Sequence, residues 1–280
     1  MPALPFSKMH GVGNDFVVVA EEAVSAFSLP DLARHLCQRR FAIGADGLLV
    51  VGRGGRHAVR MRMFNPDGTE DMCGNGLRCV AKWAVLRGVA ADTHFVVETI
   101  DGDKRVALLP DGMVQVELGE PRFEPGRVPV LAEKAPAIGV PVELPHGTVK
   151  VTALSTGSTH SVLFVDSLPD DERFLRDSPM IENHPLFPKR TSVLWTVVES
   201  PSRLRMRIWE RGAGETLACG TGACAAAVAA QLQGLAGESV EVHSAGGVLY
   251  VEWRPGDPIY LTGAAELVYE GCYPLDEVKV

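Results

Sequence analysis

The sequence predicts an α+β protein of two pseudo-symmetric domains, related by an internal duplication. One phrase occurs twice: Arg60-Met61-Arg62-Met63-Phe64-Asn65 leads to Cys73-Gly74-Asn75-Gly76, and Arg205-Met206-Arg207-Ile208-Trp209-Glu210 leads to Cys219-Gly220-Thr221-Gly222. Each Cys-Gly-x-Gly opens a helical stretch. Beyond each helix, residues 94–119 and 238–263 both read strand, turn, strand, turn, strand, with Asp101-Gly102, Asp111-Gly112, Gly246-Gly247 and Pro255-Gly256 as the punctuation.

The elements follow in order. Gly13-Asn14 precedes the apolar run Phe16 to Val19, and Gly157-Ser158 precedes the run Val162 to Val165, so the duplication extends upstream as well. Ser28 caps a first helix over LPDLARHLCQRR, with Pro30 in its first turn and Leu29, Leu32, Ala33, Leu36 and Cys37 on one stripe. A second helix is expected from about Gly76 to Arg87, stopping at Gly88, and a third from about Gly222 to Gln233, stopping at Gly234. The third is nearly all small residues, which lets neighbours surround it closely inside its domain. Alternation over Val114, Val116 and Leu118 supports a strand. Pro121, Pro125, Pro129, Pro136, Pro141 and Pro145 mark a linker with an edge-like extended stretch, because proline cannot donate to a central ladder. The predicted halves are 1–120 and 121–264, 120 and 144 residues long, both within the ordinary domain range.

The 280 residues are 46% hydrophobic and 22% charged, the balance of a soluble globular protein. A net charge of −8 argues against nucleic-acid binding, and no apolar run is long enough to span a membrane. The opening MPALPFSKMHGVGNDF has no basic start followed by an apolar stretch, so a cytoplasmic location with free thiols is expected. The six cysteines show no C-x-x-C spacing, which argues against a metal site.

Two cysteines related by duplication can face one substrate from opposite sides, which suits a reaction needing a base on one face and an acid on the other. A thiol is a poor base until ionised, and a helix N-terminus lowers its pKa from about 8.5. Cys73 and Cys219 have that setting; Cys37, Cys79 and Cys224 fall within helical stripes and read as small core residues. The glycines after each catalytic candidate let backbone approach a ligand and present free N–H groups, an anion site.

The segments KMHGVGNDF, FNPDGTEDMCGNGLRC and ERGAGETLACGTGACA, with the later YLTGAAELVYEG, resemble the signature blocks of the diaminopimelate epimerase family over nearly the whole chain. The resemblance implies that each half wraps a mixed β-sheet around a central helix, and that residues 265–280 return to the first half as a strand. It implies a cofactor-independent isomerase of lysine and peptidoglycan precursor biosynthesis, interconverting LL- and meso-diaminopimelate. One of Cys73 and Cys219 would act as thiolate and the other as thiol, with His160 and Glu210 tuning them. The amides of Gly74, Asn75, Gly220 and Thr221 would hold the reacting carboxylate. Asn14, Asn65, Ser158, Ser192, Glu210 and Arg211 would complete the substrate contacts, Arg211 gripping a distal carboxylate, and Tyr269 would serve a homodimer.

Three positions depart from the family pattern. Gly157-Ser158-Thr159-His160 stands for Gly-Asn-Pro-His, Ser192 for a later asparagine, and Gly47 for a position that is glutamine in some members. Each Asn-to-Ser change shortens a side chain expected at the non-reacting end of the substrate, so a racemase of another amino acid is the alternative. A cysteine hydrolase using His10 or His160 is a weaker one, because nucleophilic catalysis needs only one cysteine and the chain repeats it.

Overall fold

The computed structural model describes residues 3–275. Backbone contacts divide the chain into two units, Met1–Glu117 with Thr262–Val280, and Leu118–Leu261. Residues 1 and 2 of the predicted first half, and 276–280 of its expected returning strand, lie outside the described residues.

The first unit runs β1 (Ala3–Gly11), β2 (Asn14–Ala20), a one-turn α1 (Glu21–Val24), α2 (Leu29–Leu36), β3 (Gly47–Gly52), β4 (Val59–Phe64), β5 (Glu70–Asp71), α3 (Gly74–Leu86), β6 (His94–Thr99), β7 (Gly102–Leu108) and β8 (Val114–Gly119). The second runs β9 (Ala137–Leu144), β10 (Gly147–Ser155), β11 (Thr159–Phe164), α4 (Asp171–Glu182), β12 (Ser192–Ser200), β13 (Arg203–Glu210), β14 (Gly214–Thr216), α5 (Gly220–Leu232), β15 (Ser239–Ser244), β16 (Gly247–Glu252) and β17 (Ile259–Gly263). The last strand, β18 (Glu266–Pro274), pairs antiparallel with β1.

The pairings repeat strand for strand. In the first unit β1/β2 is antiparallel, β2/β3 parallel, β3/β4 antiparallel and β4/β6 parallel. In the second, β10/β11, β11/β12, β12/β13 and β13/β15 follow the same sequence of directions. At the outer edge β18 lies on β1 as β9 lies on β10. The registers also correspond: Phe16 faces Gly47 and Val18 faces Leu49 in one unit, while His160 faces Ser192 and Val162 faces Leu194 in the other. An Arg–Glu pair is retained across the hairpin after each repeated phrase, Arg62 to Glu70 at 2.8 Å and Arg207 to Glu215 at 2.7 Å. Each sheet is therefore mixed and wraps one helix, with α3 packed on β1, β2, β3, β4 and β7, and α5 on β10, β11, β12, β13, β15 and β16.

Outside each sheet a second helix closes a further core. The inward face of α2 joins Phe6, Val17, Val19, Leu48, Val50 and Phe64. The face of α4 places Phe174 and Ile181 against Leu163, Val193 and Trp195. Burying these side chains, at about 25 cal/mol per Å² of apolar surface, is what holds the layers.

Three local differences from the sequence reading have physical causes. First, α2 ends at Leu36 rather than continuing to Arg40, and the chain turns out through left-handed Arg40 and Gly44. The Ser28 hydroxyl donates to the Asp31 carboxylate at 2.6 Å and makes no side-chain cap bond to the helix backbone. Second, α3 and α5 begin two residues earlier than periodicity predicts, since apolar spacing is silent about a glycine-rich first turn. Third, α4 was not anticipated: its sequence is polar and carries Pro179, so the apolar stripe is weak. Among the described residues no helix is long and apolar enough to cross a membrane.

Candidate active site

Cys73 and Cys219 occupy the same backbone position in their units. Each is the N-cap of the central helix, with φ −134° and ψ 120° at Cys73 and φ −132° and ψ 113° at Cys219. Each cysteine carbonyl accepts the first helical bond, from Leu77 N at 2.8 Å and from Ala223 N at 2.9 Å. The first-turn amides that follow have no partner within the helix and form an electropositive end beside each sulfur.

The glycine at the third position after each cysteine has a packing reason besides any ligand. A Cβ on Gly76 would stand 2.9 Å from Leu49 Cδ2, and one on Gly222 would stand 3.1 Å from Leu194 Cδ2 and 3.2 Å from Cys219 Cβ. These leucines are the register equivalents noted above, so glycine lets each helix start press onto the same point of its sheet.

Near Cys73 stand the amides of Asn14 and Asn75. Asn14 Nδ2 donates to Asp46 Oδ2 at 2.8 Å, which fixes the amide so that its oxygen faces the helix start. Asn14 Oδ1 then accepts from Cys73 Sγ at 3.5 Å and from Asn75 Nδ2 at 3.2 Å, while Asn75 Oδ1 accepts from Arg78 at 2.8 Å. Asp46 is itself held by Arg39 at 2.7 Å, which also binds Asp15 at 2.5 Å. Although burial works against it, hydrogen bonds from Arg39 and Lys8 bring the Asp15 pKa down to about 2. Asn65, which follows β4, folds its amide onto Thr69 Oγ1 at 3.0 Å within a tight turn. Asp46, which holds Asn14, was not singled out from sequence.

Around Cys219 stand Glu210, Thr221 and, behind Thr221, His160. The thiol is buried, and burial, followed by the Glu210 carboxylate, pushes its pKa well above the ordinary value. The Thr221 hydroxyl and the Gly222 amide pull the other way, but less. Among these influences the loss of water is the largest. Glu210 accepts a hydrogen bond from Thr216 Oγ1 at 2.7 Å. Thr221 Oγ1 lies 3.5 Å from Cys219 Sγ and 3.1 Å from His160 Nε2. The Thr156 hydroxyl, in turn, donates to the Thr221 carbonyl at 2.7 Å. His160 has no exposed surface; burial, then the Arg211 guanidinium, pulls its pKa down to about 3, so it is neutral at pH 7.

Ser192 is buried, and its hydroxyl accepts from the Arg211 backbone N–H at 3.1 Å. Its oxygen thus anchors the backbone of the residue expected to grip a carboxylate. The Arg211 side chain is exposed and donates to the Lys189 carbonyl at 3.2 Å. Ser158 lies partly buried in the turn between β10 and β11. The remaining cysteines differ from the pair. Burial pushes Cys37 and Cys79 up to about 12, Cys224 is buried in α5, and Cys272 is exposed on β18. Tyr269, also on β18, is 46% exposed and meets Phe6 edge-on with ring centroids 6.0 Å apart. Among the described residues no group of three or more His, Cys, Asp or Glu is placed to hold a metal ion.

The sequence model of the family described as "Diaminopimelate epimerase" matches residues 6–124 and 152–268, one segment for each repeat. The chain is 46% identical to the diaminopimelate epimerase of Moorella thermoacetica over 279 residues, covering 97% of this chain and 99% of that protein. It is 44% identical to that of Pelotomaculum thermopropionicum over 276 residues, covering 96% and 98%. Among solved structures, a hydroxyproline epimerase from Agrobacterium vitis superposes with a TM-score of 0.70 at 14% identity, covering 99% of this chain and 94% of that one. A phenazine biosynthesis protein of the PhzF family from Bacillus anthracis superposes with a TM-score of 0.68 at 17% identity, covering 98% and 100%. At those identities the two structures speak for the fold alone.

Proposed function

The chain belongs to the diaminopimelate epimerase family, and from that premise we propose that it interconverts LL- and meso-diaminopimelate by a two-cysteine proton transfer, in lysine and peptidoglycan precursor biosynthesis. The observation that supports this best is the matched pair of N-capping cysteines, with backbone angles agreeing within a few degrees. A single nucleophile would not need the second.

In this reading one thiolate removes the α-proton and the opposite thiol supplies a proton to the other face, so configuration inverts and no proton is lost overall. With Cys219 held in its protonated form, it is the donor in one direction and Cys73 the base. The roles exchange in reverse. The first-turn amides of Gly74, Asn75, Gly220 and Thr221 bind the reacting carboxylate, where charge develops as the proton leaves. Each such donor is typically worth about 3 kcal/mol in the transition state. Arg211 pairs with the distal carboxylate through two parallel N–H donors, and the Ser192 hydroxyl holds its backbone for that task. Asn14, Asn65 and Ser158 complete the contacts. His160 and Glu210 position and tune Cys219. The chemistry needs no cofactor. The enzyme works in the cytoplasm, and as a homodimer whose contact uses the exposed face of β18 around Tyr269.

The test is incubation with LL-diaminopimelate in deuterated water, followed by chiral separation and mass analysis. Meso product with one deuterium at the inverted carbon is expected, with free lysine unchanged. Turnover of lysine alongside inert diaminopimelate would overturn the substrate assignment. Light scattering of Tyr269→Ala checks the dimer, with a shift toward monomer expected.

A further inference from the structure

In register terms His160 of the second unit stands where the first unit has Phe16, since Phe16 faces Gly47 as His160 faces Ser192. Both rings have no exposed surface. A phenyl ring therefore suffices for packing at this point of the fold, and an imidazole there is an added cost. A buried polar ring is tolerated when its polar atoms are hydrogen-bonded. Here Nε2 has one partner, the Thr221 hydroxyl at 3.1 Å, while Nδ1 is buried without a hydrogen-bond partner among the described residues. His160 thus spends its bonding on Thr221, and Thr221 lies in turn 3.5 Å from the Cys219 sulfur.

We infer that the side-chain hydroxyl of Thr221 is a positioning residue through which His160 acts on Cys219. With its proton on Nε2, His160 donates to Thr221 Oγ1 and leaves a lone pair, rather than an N–H, unpartnered at Nδ1. The Thr221 hydroxyl is then free to point its own proton at the sulfur. When Cys219 gives its proton to the substrate carbon, the sulfur keeps the electron pair of the broken S–H bond and becomes a thiolate. The hydroxyl stabilises that charge by hydrogen bonding and gives up no proton. The Glu210 carboxylate favours the thiol. Cys219 thus feels both a donor and a carboxylate, so its ionisation can swing in either direction with the reaction. Other titratable groups facing this line are few: Glu210 at the end of β13 acts on the sulfur, and Arg211 beside it acts on His160. The corresponding residue in the first unit is Asn75, whose amide donates to Asn14.

This inference rests on the reading of Cys219 as a proton-transfer residue, but its test has a readout independent of that reading. The rate of Cys219 alkylation by iodoacetamide is followed against pH by peptide mass analysis, together with the pH profile of kcat/KM for epimerisation. Thr221→Val keeps the shape and loses the hydroxyl; Thr221→Ser keeps the hydroxyl; His160→Phe copies the first unit. Thr221→Val is expected to raise the alkylation midpoint by about one pH unit, a tenfold loss of thiolate at a fixed pH. His160→Phe is expected to move it the same way, with no further movement in the double variant, and Thr221→Ser is expected to restore it. An unchanged midpoint in Thr221→Val, or an undiminished His160→Phe effect in the Thr221→Val background, would overturn the inference. Alkylation behaving as expected in a protein that turns over no diaminopimelate would leave the linkage standing and remove only the functional reading.

Discussion

The two cysteines share a backbone and differ in the side chains beside it. Cys73 is partly exposed and bonded to the Asn14 amide, in a setting built from Asn14, Asn75 and the turn at Asn65. Cys219 is buried, with Glu210 in the position of Asn65, Thr221 in that of Asn75, and His160 in that of Phe16. Duplication supplied the helix start twice; divergence then set a carboxylate and an imidazole where the first copy has Asn65 and Phe16. The lesson is that a repeated backbone need not repeat its electrostatics, and that two equivalent thiols can be tuned differently by their neighbours.

Replacing either cysteine breaks the comparison outright. Cys73→Ala and Cys219→Ala are each expected to lower kcat by at least about a thousandfold, read by chiral chromatography of the product. A variant keeping more than a tenth of parental activity would show that its thiol is dispensable. Glu210→Gln sharpens the contrast by giving the second copy an amide where the first has Asn65. It should lower kcat/KM about 10- to 100-fold and move Cys219 alkylation to lower pH, because a carboxylate that disfavours the thiolate is gone.

His160→Phe makes the second core resemble the first, and its effect on stability has a definite sign. The folded pKa of about 3 lies below the ordinary 6.5, so the unfolded chain binds a proton that the folded chain refuses. Stability from this neutral ring is complete above pH 6.5 and is lost as pH falls toward 3, with a slope of up to about 1.4 kcal/mol per pH unit. Urea melts at stepped pH should show a shallower acid loss in His160→Phe. An unchanged slope would mean that the ring is charged in the folded protein.

The glycine pair tests the shared scaffold. Gly76→Ala and Gly222→Ala should each cost about 1–3 kcal/mol in denaturant unfolding through overpacking on Leu49 and Leu194. Gly222→Ala should also reduce activity more than Gly76→Ala, since its added carbon meets Cys219 Cβ at 3.2 Å whereas the nearest atom of Cys73 to the other is 3.6 Å away. Equal activity losses would remove that distinction. The smallest effect belongs to Ser192→Ala, which leaves the Arg211 amide without its side-chain acceptor at a cost of about 1 kcal/mol, read as a several-fold rise in KM.

Much of this was legible in the residues because duplication doubles every pattern. The repeated Arg-x-Arg phrase marks β4 and β13, and Cys-Gly-x-Gly marks both helix starts before any propensity is consulted. Gly88 and Gly234 stop those helices in left-handed conformations with φ +67° and +69°. What stayed hidden depends on burial and contacts distant in sequence. The polar stretch of α4 gives no stripe, although its Phe174 and Ile181 fill a core. The upward push of burial on the Cys219 thiol depends on packing that the sequence does not display. The Thr221 hydroxyl passes for part of a glycine-rich turn until His160 is found behind it, although laying one repeat on the other would have flagged His160 against Phe16.

The strand β18 has a consequence for the order in which the protein assembles. The second unit draws its edge strand β9 from just ahead of β10, so one continuous stretch of chain supplies its whole sheet. The first unit must wait for Glu266–Pro274 to flank β1, although its other strands precede residue 120. During synthesis from the N-terminus, the later half can therefore complete its sheet first, while the earlier half keeps an open edge until Glu266–Pro274 has emerged.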